Sequence, residues 1–97
     1  MSLYRVEFLD TALKEWKKLN PTTRDVFAKK LKKLQDNPRV EKNKLHSMKD
    51  CYKIKLKAVG YRLVYKVVDD VLIIQVIAVG VRENDRVYVE ASKRMED

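Results

Sequence analysis

Ninety-seven residues suffice for one hydrophobic core and not for two, so a single domain spanning 1–97 is expected. A composition of 45% hydrophobic residues with only two Gly and two Pro describes a folded chain. The net charge of +8 is concentrated: residues 14–33 carry eight Lys or Arg against two acids and residues 39–66 nine against two, whereas residues 67–97 carry four against seven, so an anionic partner is expected on the first two thirds.

Other classes drop out on simple grounds. The longest apolar run, VLIIQVIAV, is half the roughly 18 residues a membrane span needs and is broken by Gln75. The opening MSLYRVEFLD lacks the basic flank and apolar block of a secretory signal, which points to the cytoplasm. One Cys and one His exclude an internal disulfide and argue against a zinc or other soft-metal site, so neither a metal nor a cofactor is expected.

In chain order, LYRVEF at 3–8 alternates as a short edge strand does, and Asp10 stands at an N-cap position. TALKEWKKL at 11–19 places Ala12, Trp16 and Leu19 on one helical stripe. Asn20-Pro21 then ends that helix and starts the next, since Asn caps well and Pro suits a first helical position. Val26, Phe27, Leu31 and Leu34 line an apolar face until Asn37-Pro38, while Lys29, Lys30, Lys32 and Lys33 project elsewhere. Residues 39–50 have no clean period and read as an ordered connection anchored by Val40 and Leu45.

Three strand-like runs follow, CYKIKLK, GYRLVYKVV and VLIIQVIAV, separated by tight turns at 58–60 and 69–70 and therefore antiparallel. The third is apolar at nearly every position, as a central strand covered on both faces would be. Val87, Ala91 and Met95 keep helical spacing in a short C-terminal helix over 84–95. The expected fold is α+β: an N-terminal strand, a helical hairpin and a three-stranded antiparallel meander, with the helices packed on one face of the sheet. Periodicity does not fix how the last helix docks.

Alternation along YKIKLKAVGYRLVYKV sends Tyr52, Ile54 and Leu56 inward and Lys53, Lys55 and Lys57 outward, and the turn returns Arg62 and Lys66 to that outward face. Like charges opposite one another on paired strands repel. The face is thus either a solvated, edge-blunting surface or a seat for a strongly anionic ligand. Gly80 leads to Arg82, and the following helix carries Tyr88, which places both within reach of the same groove.

Such a set suits one kind of chemistry. Attack of a ribose 2′-hydroxyl on the adjacent phosphate needs a base, an acid for the departing 5′-oxygen, and donors for the charge gathering on phosphorus. A Lys crowded by cations loses its proton more readily, Tyr is helped toward phenolate by the same field, and Arg grips phosphate in bidentate fashion. Without a histidine pair the set is poorly tuned for fast proton transfer, so a partner that aligns the substrate is expected.

The segments ALKEWKKL, NKLHSMKDCYKIKL, GYRLVYKV and VGVRENDRVYVEASKR resemble the RelE toxins of the RelE/ParE superfamily, and the likeness runs nearly end to end. It implies an mRNA endonuclease that works without metal in the A site of the 70S ribosome and is silenced by an acidic RelB-like antitoxin. Carried over by motif, Lys53 and Lys55 of YKIKL and Arg62 of GYRLVY hold the scissile phosphate, and Arg82 of VGVR assists the leaving group. Tyr88 of RVY or one of the lysines activates the 2′-hydroxyl. Val81 departs from the polar or basic residue of many relatives. Lys29, Lys30, Lys32, Lys33, Lys44 and Lys57 are candidate contacts to ribosomal RNA, or else solvated surface. Two rivals stand: a non-catalytic RNA-binding module, and a ParE-like inhibitor of DNA gyrase on the same fold.

Overall fold

The computed structural model describes residues 3–95. Its elements are β1 (Arg5–Phe8), α1 (Asp10–Lys17), α2 (Pro21–Leu34), β2 (Cys51–Leu56), β3 (Tyr61–Val68), β4 (Ile73–Val81) and α3 (Arg86–Arg94). The four strands form one sheet in the order β1-β4-β3-β2. β2, β3 and β4 make the antiparallel meander, and β1 joins the outer side of β4 in parallel, with Arg5 beside Ile73 and Phe8 beside Val76. The run at 71–79 is apolar at every position but Gln75 because β4 lies between two strands and under helices on both sides.

The helical hairpin is set by its punctuation. Asn20 caps α2, its Oδ1 accepting the Thr23 N–H at 2.9 Å, and Pro21 occupies the first helical position. Asp10 differs from expectation: Leu9 is the N-cap residue, with no side-chain cap bond, and Asp10 is the first helical residue, where its charge favours the helix dipole. Val26 also differs, being 39% exposed beside the buried Phe27 and Leu31. A step of 100° per residue carries position 26 off the buried stripe that 23, 27 and 31 occupy. The end of α2 is tied to the start of β1 by reciprocal bonds, Tyr4 N–H to the Gln35 carbonyl at 3.0 Å and Gln35 Nε2 to the Tyr4 carbonyl at 2.8 Å.

The core falls into two clusters, one on each side of the sheet. Phe27, Leu31, Tyr52, Ile54, Leu63, Tyr65, Val67, Ile74, Val76 and Val79 pack with Ala12 and Leu19 beneath the hairpin. Met48, Cys51, Val64, Ile77, Ala78, Val87 and Ala91 form the second. The hairpin covers one face, as expected. α3, whose docking periodicity leaves open, covers part of the opposite face. Each fully buried Leu, Ile, Val or Phe contributes roughly 1.5–3 kcal/mol, so the larger cluster dominates stability.

The aperiodic residues 39–50 are anchored as much by charge as by Val40 and Leu45. Arg39 reaches Asp69 at 2.8 Å, Asp50 at 3.1 Å and the Tyr52 hydroxyl at 3.1 Å. The Tyr4 hydroxyl donates to Asp69 at 2.7 Å, and that of Tyr65 donates to the Pro38 carbonyl at 2.8 Å. Among the described residues, no helix is long and apolar enough to cross a membrane.

Candidate functional site

The pleat of β2 aims Lys53 and Lys55 at the face that α3 only partly covers. Register places Arg62 of β3 directly opposite Lys55, and Gly80 of β4 opposite Arg62. Gly60 makes the β2–β3 reversal possible by adopting the left-handed conformation at φ 67°, which costs a glycine little. Its carbonyl accepts the Arg82 N–H at 2.8 Å, fixing the backbone of Arg82 against that turn. The chain then makes a short 3-10 turn, Glu83–Asp85, and enters α3, which brings Tyr88 back over the sheet.

Lys53, Lys55, Lys57, Arg62, Arg82 and Tyr88 therefore line one cleft of about 460 Å³, with Asp85 at its side. The five candidate catalytic residues, drawn from four separate segments, are together. Lys57, one of the candidate RNA contacts, is with them.

The cleft is strongly cationic. Arg62 is only 6% exposed, and its guanidinium donates to the Tyr61 carbonyl at 3.0 Å. Among the described residues, none of Lys53, Lys55, Lys57, Arg62 or Arg82 makes an ion pair, whereas Arg39 and Arg94 elsewhere are well paired. A buried charge without a counterion is costly, and packing alone gives no reason to retain one. The Lys55 amine has its pKa lowered, first by the charge of Lys53, then by desolvation, and further by Lys57, Arg62 and Arg82. By contrast, burial pushes the Cys51 thiol up to about 11, as befits an inert core residue.

The remaining lysine candidates divide. Lys30 and Lys33 of α2 line a groove of about 640 Å³ that runs into the cleft through Lys53, Lys55 and Lys57. Lys42 lines it too; it was missed because the segment that carries it has no periodicity. Lys32 instead borders a separate apolar cleft between β1 and the hairpin. Lys29 lines neither groove nor cleft and is exposed, and Lys44 is half-buried in an isolated bridge to Tyr52.

With this geometry in hand, comparison with known proteins is decisive. Residues 6–86 match the family model described as the ParE toxin of type II toxin–antitoxin systems, parDE. The mRNA interferase toxin RelE of Escherichia coli strain K12 is 52% identical over 92 residues, which are 95% of this chain and 97% of that one. The chain belongs to the RelE/ParE toxin family.

Solved structures agree with this assignment. A mutant of E. coli toxin RelE in the free state superposes with a TM-score of 0.89 at 49% identity, covering 98% of this chain and 99% of that one. The toxin in the intact E. coli RelBE toxin–antitoxin complex superposes with a TM-score of 0.81 at 51% identity, over 84% of this chain and 99% of that one. In this family member Val81 is 43% exposed and lies beside Val59, Gly60 and Arg82 at the edge of the cleft. The departure is thus confined to the rim and leaves the residues of the cleft in place.

Proposed function

We propose that this family member is a ribosome-dependent mRNA endonuclease of a type II toxin–antitoxin system, acting in the cytoplasm as one domain on the codon held in the A site of the 70S ribosome. The observation that carries this reading is the convergence of Lys53, Lys55, Arg62, Arg82 and Tyr88 on one cationic cleft, in a chain 52% identical to a protein named as an mRNA interferase.

The geometry supports a role for each residue. Arg62, held rigid by burial, and Lys53 of the neighbouring strand take the non-bridging oxygens of the scissile phosphate, a bidentate grip being available to Arg62. Charge gathering on phosphorus during attack is met by donors already in place, which is worth about 10²- to 10³-fold per donor. Lys55, whose amine releases its proton more readily than an isolated lysine, removes the proton of the 2′-hydroxyl, with Tyr88 as the alternative base. Arg82, exposed at the mouth of the cleft, neutralises the departing 5′-oxygen. The ribosome supplies the alignment that these groups lack, bringing the 2′-oxygen into line with phosphorus. Lys30, Lys33 and Lys42 lie along ribosomal RNA backbone and add affinity without sequence preference. An acidic RelB-like antitoxin covers the cationic surface in the inactive complex.

The test is cleavage of mRNA on programmed ribosomes by the native chain and by Arg82→Ala. The native protein cuts. The variant still binds ribosomes but loses about 10²-fold in rate, since Arg82 lies in the acidic third of the chain and adds little to bulk attraction. If both bind and neither cuts, the protein is a non-catalytic RNA-binding module.

A further inference from the structure

α3 carries Tyr88 into the cleft, yet little apolar surface holds it down. Of its nine residues only Val87 and Ala91 are buried. Its N-terminus is anchored weakly too: Asp85, the N-cap residue, sits at φ 55° and makes no side-chain cap bond. That left-handed conformation is uncommon for a residue with a Cβ. A helix this short does not persist in water by itself.

The opposite end of α3 is held by a polar clamp. Arg94 forks onto Glu15 of α1, Nη1 to Oε1 at 2.9 Å and Nη2 to Oε2 at 3.1 Å, and Nη1 also donates to the Ile77 carbonyl at 2.7 Å. Glu15 Oε1 in turn accepts the Val79 N–H at 3.0 Å. Both backbone groups lie where β4 has lost its neighbour: pairing with β1 ends at Phe8 and Val76. Ile77 is also the extra residue of a bulge, since Val64 faces Ala78 and Tyr65 faces Val76. The ion pair therefore satisfies the open edge of β4 and ties α3 to α1 across it, with the Arg94 side chain only 16% exposed.

We propose that Glu15 and Arg94 are a positioning pair that keeps Tyr88 in the cleft by clamping the C-terminal end of α3. When the clamp opens, α3 swings about Asp85 and unravels. Tyr88 leaves the cleft, while Lys53, Lys55 and Arg62 stay in place on strands the clamp does not touch. Neither residue of the pair lines the cleft. The inference rests on the catalytic reading of Tyr88.

Arg94→Met, Arg94→Lys and Tyr88→Phe, singly and with Arg94→Met combined with Tyr88→Phe, are assayed on mRNA-programmed ribosomes. Arg94→Met is expected to lower kcat by about 10- to 100-fold, the scale of a displaced catalytic group, with KM unchanged because the cationic strands still bind substrate. Arg94→Lys, which keeps the charge but loses the fork, recovers part of the rate. In the Tyr88→Phe background the Arg94→Met loss disappears, and amide hydrogen exchange quickens in α3 and at 77–81 while the hairpin amides keep native protection. A native kcat in Arg94→Met, or a loss that multiplies undiminished onto Tyr88→Phe, overturns the proposal. If Tyr88→Phe itself cuts at the native rate, the catalytic reading of Tyr88 fails, and unchanged exchange of α3 in Arg94→Met then refutes the clamp independently. Should Arg94→Met fold poorly, Glu15→Gln takes its place, since the amide oxygen still accepts from Val79 while the ion pair is gone.

Discussion

The two faces of this sheet are built by opposite rules. Beneath the hairpin every inward position from β2, β3 and β4 is apolar or aromatic: Tyr52 stacks on Tyr65 with ring centroids 5.6 Å apart, and Phe27 and Leu31 seal them from above. On the other face the same strands place Lys55 directly against Arg62 and bury that arginine to 6% exposure, and among the described residues it forms no ion pair. The first face is arranged for stability and the second carries charge that folding alone does not need. The difference shows that one strand can serve both purposes, because alternate residues of β2 answer to different demands.

The strongest way to sharpen this contrast is to empty the first face. Phe27→Ala removes a fully buried ring and is expected to cost about 3–5 kcal/mol, read as a lower denaturation midpoint with an unchanged cleavage rate per folded molecule. A loss of kcat at full folding would mean that the hairpin face serves the cleft directly. On the opposite face Arg62→Met should do the reverse. It keeps an apolar stem but removes the unpaired charge, so cleavage falls by about 10²- to 10³-fold while Tm stays level or rises. A marked drop in Tm would show that Arg62 is a structural residue and break the comparison.

The legible part of this molecule was whatever depends on neighbours in sequence. Asn20-Pro21 announced the hairpin, the two-residue alternation of YKIKL separated the faces, and a run apolar at nearly every position marked β4 as central. Lys53 and Lys55 were readable as a pair for the same reason. What escaped depends on distant partners. Glu15 and Arg94 are 79 residues apart and look like ordinary charges on two helices until the bulge at Ile77 leaves a carbonyl for the arginine to satisfy. Lys42 reaches the basic groove from a segment with no period to read, and α3 chose the cationic face through Val87 and Ala91, whose spacing records a buried stripe but not which side of the sheet buries it.

A smaller effect bears on how the cationic face works rather than on whether it does. Lys53 is the foremost cause of the lowered pKa of Lys55. A neighbouring positive charge disfavours the ammonium form, so Lys55 gives up its proton at lower pH than an isolated lysine, and a larger share of it is neutral base at any pH below that point. Removing the charge in Lys53→Met must therefore raise the Lys55 pKa toward its ordinary 10.5, whatever becomes of phosphate binding. Titration of the Lys55 Cε resonance in the free protein reads this directly, with no ribosome present. An upward shift in Lys53→Met ties the base to its neighbour. An unmoved titration would leave Lys53 as a phosphate ligand only, and would turn the search for the base toward Tyr88.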